Sequence, residues 1–407
     1  MVGEKRFMGV NYLIVIILIS VPIIQLGITY YLSISFLIFL IGFGYSSTKF
    51  FNSLYVNKYV VIALAVFFVK IFTLAHASVE YRAILLPARE MVCAIGIILM
   101  SAYITGHTLN DRVIRKVIIG FLIAVFVLVC LQVYFLSRGQ YFGLPIDYFI
   151  MNQETLTKAE NALFHGTRYR PTAFYGEPSY TSWIVLSLLA VILGRESSTR
   201  REQVTAITLS FLIVSVSLSI AGILAVFLFS IIWYLQNTKN LKLLIPRIFI
   251  GLLITSTAGF LIFNDSGEIG SRLRAILENN DASASNRLED PLVYLNQIFE
   301  EGELFGLKRY ADLRINNAGI GLAIHYGLLS IVIITLFLFY VKKRLLILYL
   351  LLSLNFNGTF FRFDKVLVIS AVVGLVGAST SKRRQPHCSS TEIPTTASQP
   401  DFQYRAS

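Results

Sequence analysis

The stretch VIIGFLIAVFVLVCLQVYFL, residues 117–136, decides the fold. Twenty residues in helical geometry reach roughly 30 Å, the thickness of a bilayer's hydrocarbon core. The other structure able to cross lipid, a closed β-barrel, would alternate polar and apolar residues along each strand. Here the run is apolar on every face, and so is the run 59–72. Working outward, the 407 residues are 56% hydrophobic and 14% charged, with a mean hydropathy of +0.69. Soluble domains carry nearer a quarter charged residues. The sequence therefore reads as an all-α polytopic membrane protein.

Spans are predicted at 10–27, 29–46, 59–77, 83–104, 115–136, 179–194, 204–218, 220–236, 244–263, 317–341, 344–356 and 365–380, about 12 transmembrane helices. The first is read as a retained helix, because no small-residue cleavage site follows it. A net charge of +12 would suit a nucleic-acid binder if the chain were soluble. Instead the basic residues fall in short clusters beside apolar runs, which anchors cytoplasmic loops and implies no nucleic acid. Lys5 and Arg6 precede the first span, and Lys49 and Lys58 follow the second. Arg112, Arg115 and Lys116 follow the fourth, and Arg195, Arg200 and Arg201 the sixth. Lys239 and Lys242, then Lys342, Lys343 and Arg344, then Lys382, Arg383 and Arg384 complete the alternation. Both termini are expected in the cytoplasm.

That parity puts residues 137–178 and 264–316 outside as two large extracytoplasmic loops, and they hold 14 of the 23 acidic residues. The chain divides into spans one to five (1–136), the first loop (137–178), spans six to nine (179–263), the second loop (264–316), the last three spans (317–380) and a polar tail (381–407) whose composition predicts disorder. In the second loop Asp290-Pro291 is a helix start. Leu288, Leu292, Leu295 and Phe299 recur at helical spacing, with Gly302 as the stop. The three cysteines imply no disulfide framework.

The first loop runs Arg168-Tyr-Arg170-Pro-Thr-Ala-Phe-Tyr-Gly-Glu177-Pro178-Ser179-Tyr180 into the sixth span. Proline suits a first helical turn, where its missing N–H costs nothing. Glu177 then stands at the positive end of the helix dipole. Two arginines, a carboxylate and free backbone N–H groups suit an anionic headgroup, since arginine grips phosphate through paired donors. An interfacial helix cap with arginines snorkelling to water is the competing reading.

Arg170 followed by Phe174-Tyr-Gly-Glu177-Pro178-Ser179 resembles the arginine to Glu-Pro-Ser signature of Wzy-type O-antigen and exopolysaccharide polymerases. In the second loop Arg287, Leu304-Phe305-Gly306, Asn316-Asn317 and Gly327 resemble the same superfamily, which includes the O-antigen ligases. The ligases carry His-Asn where this chain has Asn316-Asn317, a departure that favours the polymerase branch. The resemblance covers residues 165–330 by motif and the rest by topology.

It implies glycosyl transfer at the outer face of a bacterial inner membrane. A growing glycan would leave undecaprenyl diphosphate for another undecaprenyl-diphosphate-linked oligosaccharide repeat, with membrane lipid around it and a chain-length regulator as partner. Arg170 and Arg287 would stabilise the departing diphosphate. Glu177 would be a general base or would orient Arg170, and both roles stay open. Arg168, Tyr180, Arg89, Asn316 and Asn317 are candidates for substrate binding. No cofactor or metal is implied, for neither outer loop holds an Asp-x-Asp pair or a His/Cys cluster with ligand spacing. Ligase-type transfer to another acceptor is the nearest alternative. A flippase or other carrier comes after it, since no internal repeat is visible.

Charges inside spans cost about 2.5–3.5 kcal/mol each, so they need a reason. Lys70 and Glu90 lie at similar depth, and an interhelical pair is expected. Arg82 and Arg89 share a helix face. His325 is read as a packing histidine, and Arg362 and Asp364 in the turn 355–365 as lining the same cavity.

Overall fold

The computed structural model describes residues 34–50, 54–76, 81–106, 110–138, 140, 171–174, 177–237, 293–294, 296, 298, 300–306, 317–341, 343–356 and 360–381. The expected spans 10–27 and 244–263, the tail 382–407 and most of both long loops lie outside these residues.

Among the described residues the regular elements are all helices. They are α1 (Ile34–Phe50), α2 (Leu54–His76), α3 (Tyr81–Thr105), α4 (Asp111–Ser137), α5 (Pro178–Gly194), α6 (Arg200–Val216), α7 (Ile220–Asn237), α8 (Ala318–Tyr326), α9 (Leu329–Val341), α10 (Arg344–Ser353) and α11 (Phe363–Ser381). Four stretches, Val56–His76, Ile84–Thr105, Asp111–Ser137 and Ile220–Asn237, are long and apolar enough to cross a membrane. The chain is a helical membrane protein.

Among the described helices, α5 is enclosed along nearly its whole length. All of its 17 residues except Gly194 are buried, and it packs on α4, α6, α7, α10 and α11. A helix apolar on every side belongs where neighbours cover every side. Its few polar side chains are satisfied inside the bundle. The Trp183 indole N–H donates to Ser353 Oγ at 3.2 Å, and Ser187 and Tyr349 share a hydrogen bond of 2.9 Å. Beside it α3 packs against α1, α2 and, most extensively, α11.

Basic helix exits gather at one end of this bundle. Arg195, just past α5, pairs with Asp111 at the start of α4 and donates to the Leu375 carbonyl of α11 at 3.0 Å. Arg115 reaches Glu202 at 3.0 Å and Ser197 Oγ at 2.9 Å. Lys343, between α9 and α10, donates to the Val376 carbonyl at 2.6 Å. Burial pulls the Arg195 guanidinium below its ordinary pKa, and Asp111 opposes that shift.

Two local findings concern the turns. After a Thr199–Glu202 capping box, α6 reverses into α7 through 217–219, where Leu218 takes a positive φ of 52° and Ser219 Oγ accepts the Gly222 N–H at 3.3 Å. The predicted continuous span 317–341 is instead two helices, broken at Gly327 with φ 53° and ψ −129°. The cause is a distant segment. The Leu328 N–H donates to the Leu304 carbonyl at 2.9 Å, so the 304–306 turn takes the place of a helical bond. That turn follows a helical stretch whose described residues begin at 293. Gly302 ends it with φ 65°, and the Glu303 N–H returns to the Ile298 carbonyl at 3.1 Å, the Schellman closure. Ile298 packs on Ile324 of α8, with Tyr294 and Ile320 alongside. The expected stripe Leu288, Leu292, Leu295 and Phe299 is outside the described side chains.

Candidate functional site

The other end of the bundle is built around the N-terminus of α5. Glu177 is extended (φ −139°, ψ 130°) and Pro178 opens the helix, as the residue types require. The Glu177 carbonyl accepts the N–H groups of Tyr180 and Thr181, both at 3.1 Å. Its exposed carboxylate caps no N–H of its own helix and accepts the Ser179 hydroxyl at 3.3 Å.

The approach to Glu177 is held by a residue that the sequence reading passed over. Gln132, buried in α4, donates from Nε2 to the Ala173 carbonyl at 3.0 Å. Its Oε1 accepts the Thr172 and Ala173 N–H groups at 3.0 and 2.9 Å. Thr181 Oγ1 adds a bond of 2.5 Å to the Thr172 carbonyl, and the Phe174 ring stacks on Phe121. A lone amide in an otherwise apolar run was the available signal. Each buried backbone group left unpaired costs about 1–3 kcal/mol, so Gln132→Leu should free the 171–174 turn. The check is labelling of Thr172→Cys by an impermeant maleimide, with Cys93, Cys130 and Cys388 replaced. The site should be protected with Gln132 and labelled quickly with leucine; equal protection would refute the clamp.

Tyr180, a predicted substrate-binding residue, is buried and donates its hydroxyl to Asp364 Oδ2 at 2.7 Å. Asp364 also accepts Arg362 Nε at 3.2 Å, and the Arg362 side chain remains 49% exposed. The Asp364 carboxylate holds the Arg362 guanidinium above its ordinary pKa, against the opposing effect of burial. Thus the turn before α11 presents an oriented arginine beside the α5 terminus. Lys365 follows, buried, with its ammonium 5.7 Å from the Trp183 ring centre.

The second group of motif residues joins the same end through an aromatic chain. Phe67 lies edge-on to Tyr326 at 5.4 Å and to Phe361, the neighbour of Arg362, at 5.7 Å. Gly306 backs onto His325, where an added Cβ would stand 2.5 Å from the main-chain carbonyl atoms. Lys70, buried in α2, donates to the carbonyls of Phe305 and Gly306 at 2.7 and 3.2 Å. Lys70 and Glu90, read as a possible pair, each have a further partner. Glu90 accepts the Tyr326 hydroxyl and lies 4.0 Å from Arg89. The Arg89 side chain is 42% exposed, the one charge of this trio that meets the surroundings.

Asn317, another predicted binding residue, caps α8. Its Oδ1 accepts the Gly319 and Ile320 N–H groups at 3.0 and 3.1 Å. The Leu354 carbonyl takes the Gly319 N–H as well, at 2.8 Å. Arg168, Arg170, Arg287 and Asn316 are outside the described residues, as is the side chain of Arg82. Among the described residues no group of three His, Cys, Asp or Glu side chains is placed to hold a metal ion.

The arrangement offers a carboxylate, an oriented guanidinium and a helix N-terminus at one end of a lipid-facing bundle. Such a set binds anions and can take up a proton from a hydroxyl. No protein-family model matches the chain, and no curated protein is significantly similar to it in sequence.

Proposed function

We propose that the chain is a polysaccharide polymerase of the bacterial inner membrane. In this reading it has about 12 spans, both termini in the cytoplasm, and its loops 137–178 and 264–316 outside. A sugar hydroxyl of one lipid-linked repeat attacks the anomeric carbon of the growing glycan. The bond to undecaprenyl diphosphate breaks, the lipid diphosphate departs, and the hydroxyl proton passes to a base.

The supporting observation is the shared location of the motif residues. Glu177–Pro178–Ser179 and the Gly306–Gly327 junction, far apart in sequence, stand at the same end of the bundle. In the sequence Arg170 comes two residues before Thr172, the first residue that Gln132 clamps. With Arg287 and Arg362 it supplies the positive charge a leaving diphosphate needs. Glu177, at the start of α5, suits a modest base or an orienting partner equally.

The test is product length in cells. Arg170→Ala and Arg287→Ala should each abolish long chains while single repeats accumulate on lipid. Wild-type chain lengths in both would remove the proposed reaction. Arg170→Lys should also be poor, because one ammonium does not reproduce paired donors.

A further inference from the structure

At the end of the bundle opposite the candidate site lies a cleft of about 460 Å³ between α5, α6, α7, α10 and α11. Its wall includes Arg195, Lys343 and Arg344 against one carboxylate, Glu196, with Gln203, Asn237 and the Trp233 indole alongside. Three features of this wall point to a ligand. Arg195 is 1% exposed, and its Nε is buried with no hydrogen-bond partner among the described residues. Donors so placed are costly unless an acceptor reaches them. Lys343, at a helix junction, and the exposed Arg344 give the opening a positive charge. Trp233, partly buried near the end of an apolar helix, is the residue type that settles at headgroup level.

We propose that this cleft binds the phosphate-bearing headgroup of an anionic phospholipid, with Arg195, Lys343 and Arg344 as donors. Free phosphate offers the same oxygens. A lipid additionally suits the place of the cleft, whose wall includes the last turn of Ile220–Asn237, a helix long and apolar enough to cross a membrane. Basic pockets between helices at a membrane face commonly take anionic headgroups. The inference is independent of the reaction proposed above, and it concerns the other end of the molecule.

The experiment is a thermal-stability titration of the purified full chain in neutral detergent. The probes are phosphatidylglycerol, phosphatidylcholine and inorganic phosphate. Phosphatidylglycerol should give a saturable rise in Tm that phosphatidylcholine does not reproduce. One basic side chain near an anionic headgroup is worth roughly fivefold in affinity. Arg344→Gln should therefore raise the half-saturating phosphatidylglycerol concentration about fivefold. Arg201→Gln, exposed at the same end but outside the cleft, should change it less than about twofold, the distance-limited effect of a screened charge. A rise equal with both lipids, or equal effects of the two variants, would overturn the proposal in favour of diffuse surface binding. The same rise with inorganic phosphate at equal concentration would reject the lipid as the ligand.

Discussion

Gly327→Ala should unfold the half of the bundle that holds the candidate site and abolish whatever activity depends on it. Gly327 has φ 53°, and a methyl group there would stand 2.3 Å from the Leu304 carbonyl oxygen and 2.6 Å from the Gly306 nitrogen. Those neighbours are main chain, so no rotamer change relieves the contact. Strain at positive φ costs about 1–3 kcal/mol, and overpacking about as much again. Separation of the 304–306 turn from the α8–α9 junction would also break the Leu328–Leu304 bond and withdraw the carbonyls that hold Lys70. Gly306→Ala meets His325 main chain at 2.5 Å and should behave alike. The controls are Gly44→Ala and Gly120→Ala, where a methyl group has nothing within 4 Å and helix propensity improves. Thermal unfolding in detergent reads all four. Unaltered melting of Gly327→Ala would mean that the seam is not tightly closed.

Asp111→Asn should be nearly as severe, for a different reason. It strips the carboxylate from Arg195, a guanidinium buried in the bundle. Breaking a buried pair from one side costs about 3–5 kcal/mol, whereas replacing both partners by well-packed neutral groups is often harmless. The double variant Asp111→Asn with Arg195→Met should therefore melt above the single Asp111→Asn variant. A double variant less stable than either single one would assign the pair a net stabilising role. The outcome decides whether this ion pair holds the fold or merely avoids a penalty.

What could be read from sequence follows the range of the forces involved. The helices 54–76, 81–105, 111–137 and 220–237 were legible because lipid imposes a local rule on every residue of a span. The Glu177–Pro178 junction was legible for a similar reason, since helix starts are decided within one turn. The break at Gly327 was not. A glycine inside an apolar run is tolerated by many helices, and the segment that interrupts this one comes from the preceding loop. Lys70 was recognised as needing a partner, but the natural guess was another charge. The actual acceptors are main-chain carbonyls 235 and 236 residues away, which leave no mark in composition. Gln132 shows the same limit, with its partners 40 and 41 residues downstream. For the site, charge type and helix-end position were accessible, while the orientation of Arg362 by Asp364 needed the packing of α11 against α5.

The central helix has a mechanical consequence. Its first turn is tied to α11 through Tyr180 and Asp364, and its far end is tied to α4 and α11 through Arg195. Trp183 and Ser187 fasten its midsection to α10. A rod pinned at three heights neither slides nor swivels without breaking buried bonds in every cycle. The helix is thus a fixed axle, with its depth and its rotation both set by bonds to α4, α10 and α11.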